Sequence, residues 1–452
     1  MLQKISGSPL LADGPPDLGW PSASRAWATV FVLMTAYAVA FVDRQILTLL
    51  IEPLRRDLAI TDTQFSLLSG LAFTLFYTVM GVPLAWVADR GSRRNLIMIS
   101  VAVWTAMTAA CGLASSFISL FAARIGVGIG EAGLSPAAYS MIGDSFPPAR
   151  RARAMGVYAM GSIAGVGMAL IIGGAVVEWA NSAPPIVLPM IGALKSWQVA
   201  FMIVSLPGPV LVLAMALLRE PKRQGLGAAA HAPSAPLAPF FRERWLAFTL
   251  LAVGYSLVGV VIAAYLTWAP AFLIRNYGWQ VGKVGAVFGA ILLVGSTSGI
   301  LIGGWWADRF AAAGRKDAVL RVAVIGAIAG FPFAVAAPFA PTGELAAASL
   351  ALMCLGFGLT QGLPAVSFQA ISPNRLRARV MAIYLLIGNI VAFTVGPTAV
   401  ALISDLWLKD PKKIGVAVAI VTAVVLPIGI AALVAAIRPY VRAVDEEMIA
   451  AA

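Results

Sequence analysis

Along most of this chain apolar positions do not alternate with polar ones; they run together. Twelve runs are long enough to cross a bilayer, which takes about 20 mostly apolar residues. They lie at roughly 26–50, 64–87, 95–113, 117–142, 154–178, 197–218, 245–272, 284–306, 318–339, 345–369, 380–404 and 414–437. Several exceed the minimum, so tilt or protrusion is expected. The pieces between them are short and polar, as in Asp89-Arg90-Gly91-Ser92-Arg93-Arg94. One interior stretch, 220–242, is longer and rich in Gly, Ala and Pro. The pattern predicts an all-α integral membrane protein with twelve transmembrane helices, six on each side of a linker.

Composition agrees. Of 452 residues, 60% are hydrophobic and 12% charged, and mean hydropathy is +0.89. A soluble domain is ordinarily about 45–50% apolar and about 25% charged, so a bilayer must solvate most of the chain. The net charge of +12 acquires a topological meaning. With both termini on the inner side, 22 Lys and Arg fall in inner segments and 8 in outer ones. That bias places both termini in the cytoplasm of a bacterial-type inner membrane and accounts for the charge without nucleic acid. The expected layout is a cytoplasmic tail over 1–24, a six-helix bundle over 25–219, a linker over 220–242, a second bundle over 243–438 and a cytoplasmic tail over 439–452. The polar, Pro-, Gly- and Ser-rich start does not read as a signal peptide.

The chain repeats itself. Arg151-Ala152-Arg153-Ala154-Met155-Gly156-Val157-Tyr158 opens the fifth run, and Arg377-Ala378-Arg379-Val380-Met381-Ala382-Ile383-Tyr384 opens the eleventh. Ala88-Asp89-Arg90 after the second run is echoed by Ala307-Asp308-Arg309 after the eighth. Two related six-helix halves are the mark of transporters that rock about a central site. Several other classes are disfavoured. No G-x-x-x-x-G-K-[ST] motif occurs, which argues against an ATP-driven pump. The only histidine, His231, falls in the linker, and Cys111 and Cys354 lie in apolar runs as small core residues. Neither a metal site nor an enzyme's nucleophile–base pair is expected, nor any cofactor.

At this point the chain resembles the major facilitator superfamily. The resemblance rests on the twelve runs, the central linker and D-R-x-x-R-R at Asp89–Arg94. That motif ordinarily has Gly four residues before its Asp; here Ala85 holds the place, while Gly304 has it in the second half. Arg124-Ile125-Gly126-Val127-Gly128-Ile129-Gly130-Glu131 is similar to the superfamily's fourth-span R-x-G-x-G-x-G motif. Trp197–Phe201 and Glu220-Pro221-Lys222-Arg223 match the usual limits of its sixth span. Asp43-Arg44 in the first span together with the fourth-span motif resembles the spinster branch. The resemblance implies movement of an amphipathic lipid, such as a lysophospholipid or sphingoid derivative, coupled to protons, by a monomer. The fifth-span antiporter signature is incomplete: Gly161, Gly165, Gly167, Gly173 and Gly174 are present without its proline. Close helix packing through small residues is their simpler reading. An exporter of hydrophobic drugs or other small organic solutes is the alternative.

Four deep charges are the candidate site: Asp43 and Arg44 in the first span, Arg124 and Glu131 in the fourth. Each costs roughly 2.5–3.5 kcal/mol at a helix centre, so they should face a cavity and pair. Arg124 and Glu131 are two turns apart on one face, whereas Asp43 and Arg44 must each look to another helix. Protonating one carboxylate would unbalance the set, which suits a proton-coupled switch; a static ion cluster that fixes packing is the competing reading. The second half has no deep charge. Its aromatic and neutral polar residues (Tyr265, Gln361, Gln369 and Asn389 among them) are expected to form a greasy cavity wall opposite a charged one. On the inner side, Asp89, Arg90, Arg93, Asp144, Asp308 and Arg309 are expected to form a gate. In it Arg93 pairs with Asp144, and Asp89 meets the positive end of the eleventh helix in the outward-facing state.

Overall fold

A computed structural model describes residues 20–184, 186–188, 192–224, 236–373 and 375–451. Among these residues, twelve helices have the length and apolarity to cross a membrane: α1 Ala23–Leu49, α2 Asp62–Arg90, α3 Arg93–Gly112, α4 Phe117–Ser145, α5 Arg153–Ser182, α6 Ser196–Leu217, α7 Leu237–Tyr277, α8 Val281–Ala312, α9 Ala318–Phe339, α10 Gly343–Ala370, α11 Arg379–Leu408 and α12 Pro411–Ile449. An even number of crossings puts both ends of the described chain on one side, here the terminal face; the other side is the far face.

Local chemistry sets the helix ends. Thr61 and Gln64 form a capping box at the start of α2, and Ser116 and Ser119 do so at α4. The Ser92 hydroxyl caps α3 by accepting from the Asn95 N–H. Gly278, in the left-handed region at φ 67°, ends α7. Two elements outrun the expected layout. The α7 helix starts at Leu237, inside the expected linker, and breaks at Arg244, whose backbone is non-helical. The last helix continues past 438 to Ala451. Residues 225–235 of the linker, His231 among them, lie outside the described residues.

The two halves meet most closely where side chains vanish. A Cβ on Gly285 of α8 would stand 2.2 Å from the Leu170 carbonyl oxygen of α5, and one on Gly70 of α2 would stand 2.4 Å from that of Phe393 on α11. Only glycine permits these backbone approaches. Near the second crossing both helices contain a π-helical turn, Leu67–Leu71 and Val391–Val395; α8 has one at Leu292–Ser296. Such turns often mark functional sites. Cys111 and Cys354 are buried free thiols.

Among the described residues, the ion pairs across the halves lie on the far face, with polar contacts beside them. Arg275 at the end of α7 grips Asp62 through two parallel bonds of 2.8 Å and Glu52 through one of 2.6 Å. The Thr63 N–H and hydroxyl both donate to Asp405 of α11, at 2.7 and 2.8 Å. The Gly282 N–H donates to Glu178 at 3.1 Å. Towards the terminal face, every ion pair between described residues stays within one half. There Val79 and Val82 of α2, Tyr139 of α4 and Leu385–Ile387 of α11 are exposed. The molecule is bolted on the far face, while no ion pair between described residues crosses from one half to the other on the terminal face.

Candidate functional site

The deep charges of α1 and α4 converge. Arg44 donates from Nε to Glu131 Oε2 at 2.7 Å, and its Nη2 lies 2.6 Å from the same oxygen. Glu131 is fully buried, whereas the Arg44 side chain keeps 19% of its surface. Three rings surround that guanidinium: Phe41, Phe73 and Tyr77, with centroids 4.9, 4.5 and 4.6 Å from Cζ. Cation–π attraction strengthens as such a group is desolvated. Tyr37 extends the aromatic lining, edge-on to Phe41 and stacked on Tyr158 at 4.9 Å.

Arg124 is placed differently from Arg44. It is buried, donates to the backbone oxygen of Asp43 at 3.3 Å and lies 5.4 Å from the centre of the Phe73 ring. Asp43 is also buried; its Oδ2 accepts from the Thr108 hydroxyl of α3 at 3.3 Å. Asp43 Oδ1, Arg124 Nε and Glu131 Oε1 are buried without a hydrogen-bond partner among the described residues. Unpaired buried atoms of charged groups are costly. In the low-dielectric interior such a partly satisfied network is costly to keep.

The second wall departs from expectation. Tyr265 is 2% exposed and its hydroxyl donates to the Ala334 carbonyl, so it offers no free polar group. Trp268, Phe288, Phe357 and Phe368 are likewise buried. Tyr384 stacks on Phe368 at 4.3 Å, and the Tyr255 hydroxyl is bonded to Ser367 at 2.8 Å. Aromatic rings in this half mainly fill helix interfaces, because the tight α7–α10–α11 packing needs their volume. Gln361 and Gln369 remain exposed and Asn389 is half-buried. Gln361 shares a narrow crevice with one edge of Tyr265.

On the terminal face Arg93 is fully buried. It binds Asp144 through Nη1 and Glu220 through its backbone N–H and Nε, at 2.9 and 3.1 Å, and donates to the Pro221 carbonyl at 2.8 Å. Ser92 also donates to Glu220. Partial burial raises the Glu220 carboxyl, but the bonds from Ser92 and Arg93 prevail and hold it below the usual carboxylate range. Asp89 and Asp308 are exposed, with no partner among the described residues. Arg90 lies over Trp86 at 3.9 Å and Arg309 over Trp305 at 5.8 Å, so the sequence echo is also a spatial one. The expected Asp89 contact with the start of α11 is not made among the described residues.

The far-face bolt was not legible beforehand. Glu52, Asp62, Arg275 and Asp405 read as ordinary charges near span ends. Opposite signs at ends that share one face are the only hint in the sequence, and it does not say which charges meet.

Two six-helix halves, joined by ion pairs on one face and holding a cluster of deep charges and aromatic rings in the first half, define a multi-pass membrane transporter. The Major Facilitator Superfamily model matches residues 33–397, and the chain belongs to that family. It is 30% identical over 390 residues to an MFS-type efflux pump of Mycolicibacterium smegmatis, covering 85% of this chain and 86% of the relative. It is 26% identical over 311 residues to the protein spinster of Drosophila melanogaster, covering 66% of this chain and 48% of that protein. A solved structure of a bacterial homologue of the human lysosomal transporter Spinster, inward-facing and unoccupied, matches with a TM-score of 0.78 at 27% identity. The match covers 94% of this chain and 98% of that one.

Proposed function

We propose that this chain is a proton-coupled transporter of an amphipathic lipid, of lysophospholipid or sphingoid type, working as a monomer with its termini in the cytoplasm. One observation carries the reading: Arg44, partly exposed among Phe41, Phe73 and Tyr77, is tied to the buried carboxylate of Glu131. A guanidinium can hold a phosphate or carboxylate through two parallel bonds, and rings beside it suit the apolar part of the same molecule. A proton taken up on Glu131 removes the charge that holds Arg44, which then turns to an anionic head group. Loss of the proton restores the pair and expels the head group. Asp43 and Arg124 keep the local charge balanced through this exchange.

An exporter of small hydrophobic solutes is the second reading, favoured by the likeness to the mycobacterial efflux pump. Proteoliposomes separate the two. A fluorescent lysophospholipid should move under an imposed pH gradient, and collapse of the gradient should stop it. Movement of a hydrophobic dye with no movement of the lysolipid would establish the second reading instead.

A further inference from the structure

Away from the central pocket, the terminal face of the first half contains a cleft of about 370 Å³ between the start of α1 and the ends of α4 and α6. This volume lies within the range of about 300–1,000 Å³ usual for small-ligand sites. Its lining includes Arg25, Arg219 and Lys222. All three are exposed, and none has a side-chain partner among the described residues. Glu220, the one acid in the lining, is already bonded by Ser92 and Arg93. The start of α1 adds to the positive field. Ser22, its N-cap, accepts no bond from the helix, and the Ser22 hydroxyl lies 3.3 Å from that of Ser24. Among the described residues, the first N–H groups of this 27-residue helix therefore lack a side-chain acceptor.

The cleft continues into an apolar track. Leu217, which lines it, is 77% exposed, and Leu213 and Val210 follow at helical spacing on the same face of α6. These are surfaces that acyl chains cover in a bilayer. Topology explains why cations lie on this face. It does not explain why three unpaired ones share a concave site at the head of an apolar stripe.

We propose that this cleft binds the phosphate of an anionic bilayer phospholipid, with the acyl chains along Val210, Leu213 and Leu217. Three cations without a free acid favour an anionic over a zwitterionic head group. The apolar track favours a lipid over free phosphate. The site is separate from the pocket around Arg44 and stands whether or not the transported molecule is a lipid.

The test is native mass spectrometry of the full-length protein in detergent with added palmitoyl-oleoyl phosphatidylglycerol, phosphatidylcholine or inorganic phosphate. Phosphatidylglycerol should be retained in preference to phosphatidylcholine, and inorganic phosphate should not displace it. The combined variant Arg25→Gln, Arg219→Gln, Lys222→Gln should weaken retention about a hundredfold, at the usual contribution per basic residue near an anionic surface. Lys222→Gln alone, at an exposed position that folding tolerates, should weaken it about fivefold. Leu213→Ser with Leu217→Ser should weaken it with all cations intact, and Arg44→Lys should leave it unchanged. Equal retention of both lipids, displacement by phosphate, or retention unaffected by Lys222→Gln would overturn the proposal.

Discussion

Arg44 and Glu131, 87 residues apart in sequence, share one carboxylate oxygen, which receives the guanidinium through contacts of 2.7 and 2.6 Å. This pair joins α1 to α4 inside the first half and leaves Arg124, the other deep cation, without Glu131 as its partner. The exposure of its two members is unequal: the cation keeps 19% of its side-chain surface while the acid is fully buried.

Glu131→Gln should preserve the fold and part of substrate binding but abolish the response to a pH gradient. Hydrogen bonds to charged groups are worth about 1.5–3 kcal/mol, so gradient-driven uptake in proteoliposomes should fall about ten- to a hundredfold. Uptake that still follows the gradient at the wild-type rate would remove Glu131 from coupling.

Arg44→Lys keeps the charge and loses the planar fork. Transport of a phosphate-bearing lysolipid should fall, with the loss mainly in apparent affinity. A variant as active as wild type would mean that only the charge at position 44 matters.

Arg275→Ala removes the cation shared by Asp62 and Glu52 and leaves Asp62, which is fully buried, without its bidentate partner. Couplings of this kind amount to about 1–3 kcal/mol. The population should therefore shift about fivefold or more towards a form open at the far face. Spin labels on the far-face ends of α1 and α7 should report longer distances; an unchanged distribution would show that the glycine crossings and the remaining polar contacts hold that face without Arg275.

Asp89→Asn should leave the present state intact, because Asp89 makes no contact in it with a described residue. If the carboxylate meets the start of α11 in the opposite state, as the sequence leads one to expect, the substitution should weaken that state. Labels on the terminal-face ends of α2 and α11 should then shift to longer mean distances. No shift would reduce Asp89 to a boundary residue.

Glu220 gives a pH prediction on stability. Its carboxyl is held below the ordinary range in the folded protein. Its bonds to Ser92 and Arg93 thus contribute fully above the unfolded value, and that contribution is lost as pH falls through the folded one. The melting temperature should drop on acidification below the ordinary carboxylate range. Glu220→Gln should lower it at neutral pH and flatten that acid limb. The same acid limb in both proteins would assign the loss to other carboxylates.

The sequence alone determined the number of membrane crossings, the two related halves and the residues with deep charge. These follow from local cost: a run of about 20 apolar residues has one favourable solvent, and a charge within it is conspicuous whatever surrounds it. The echo of Asp89-Arg90 in Asp308-Arg309 was equally legible, down to the tryptophan four residues before each arginine. Tertiary structure decided the partners. Nothing local says that Glu131 takes Arg44 rather than Arg124, or that Arg275 reaches Asp62 across 213 residues. It also decided that Tyr265 and Phe368 fill helix interfaces. An aromatic residue in an apolar helix suits lipid, core and cavity alike, and only the packing of neighbouring helices chooses among them.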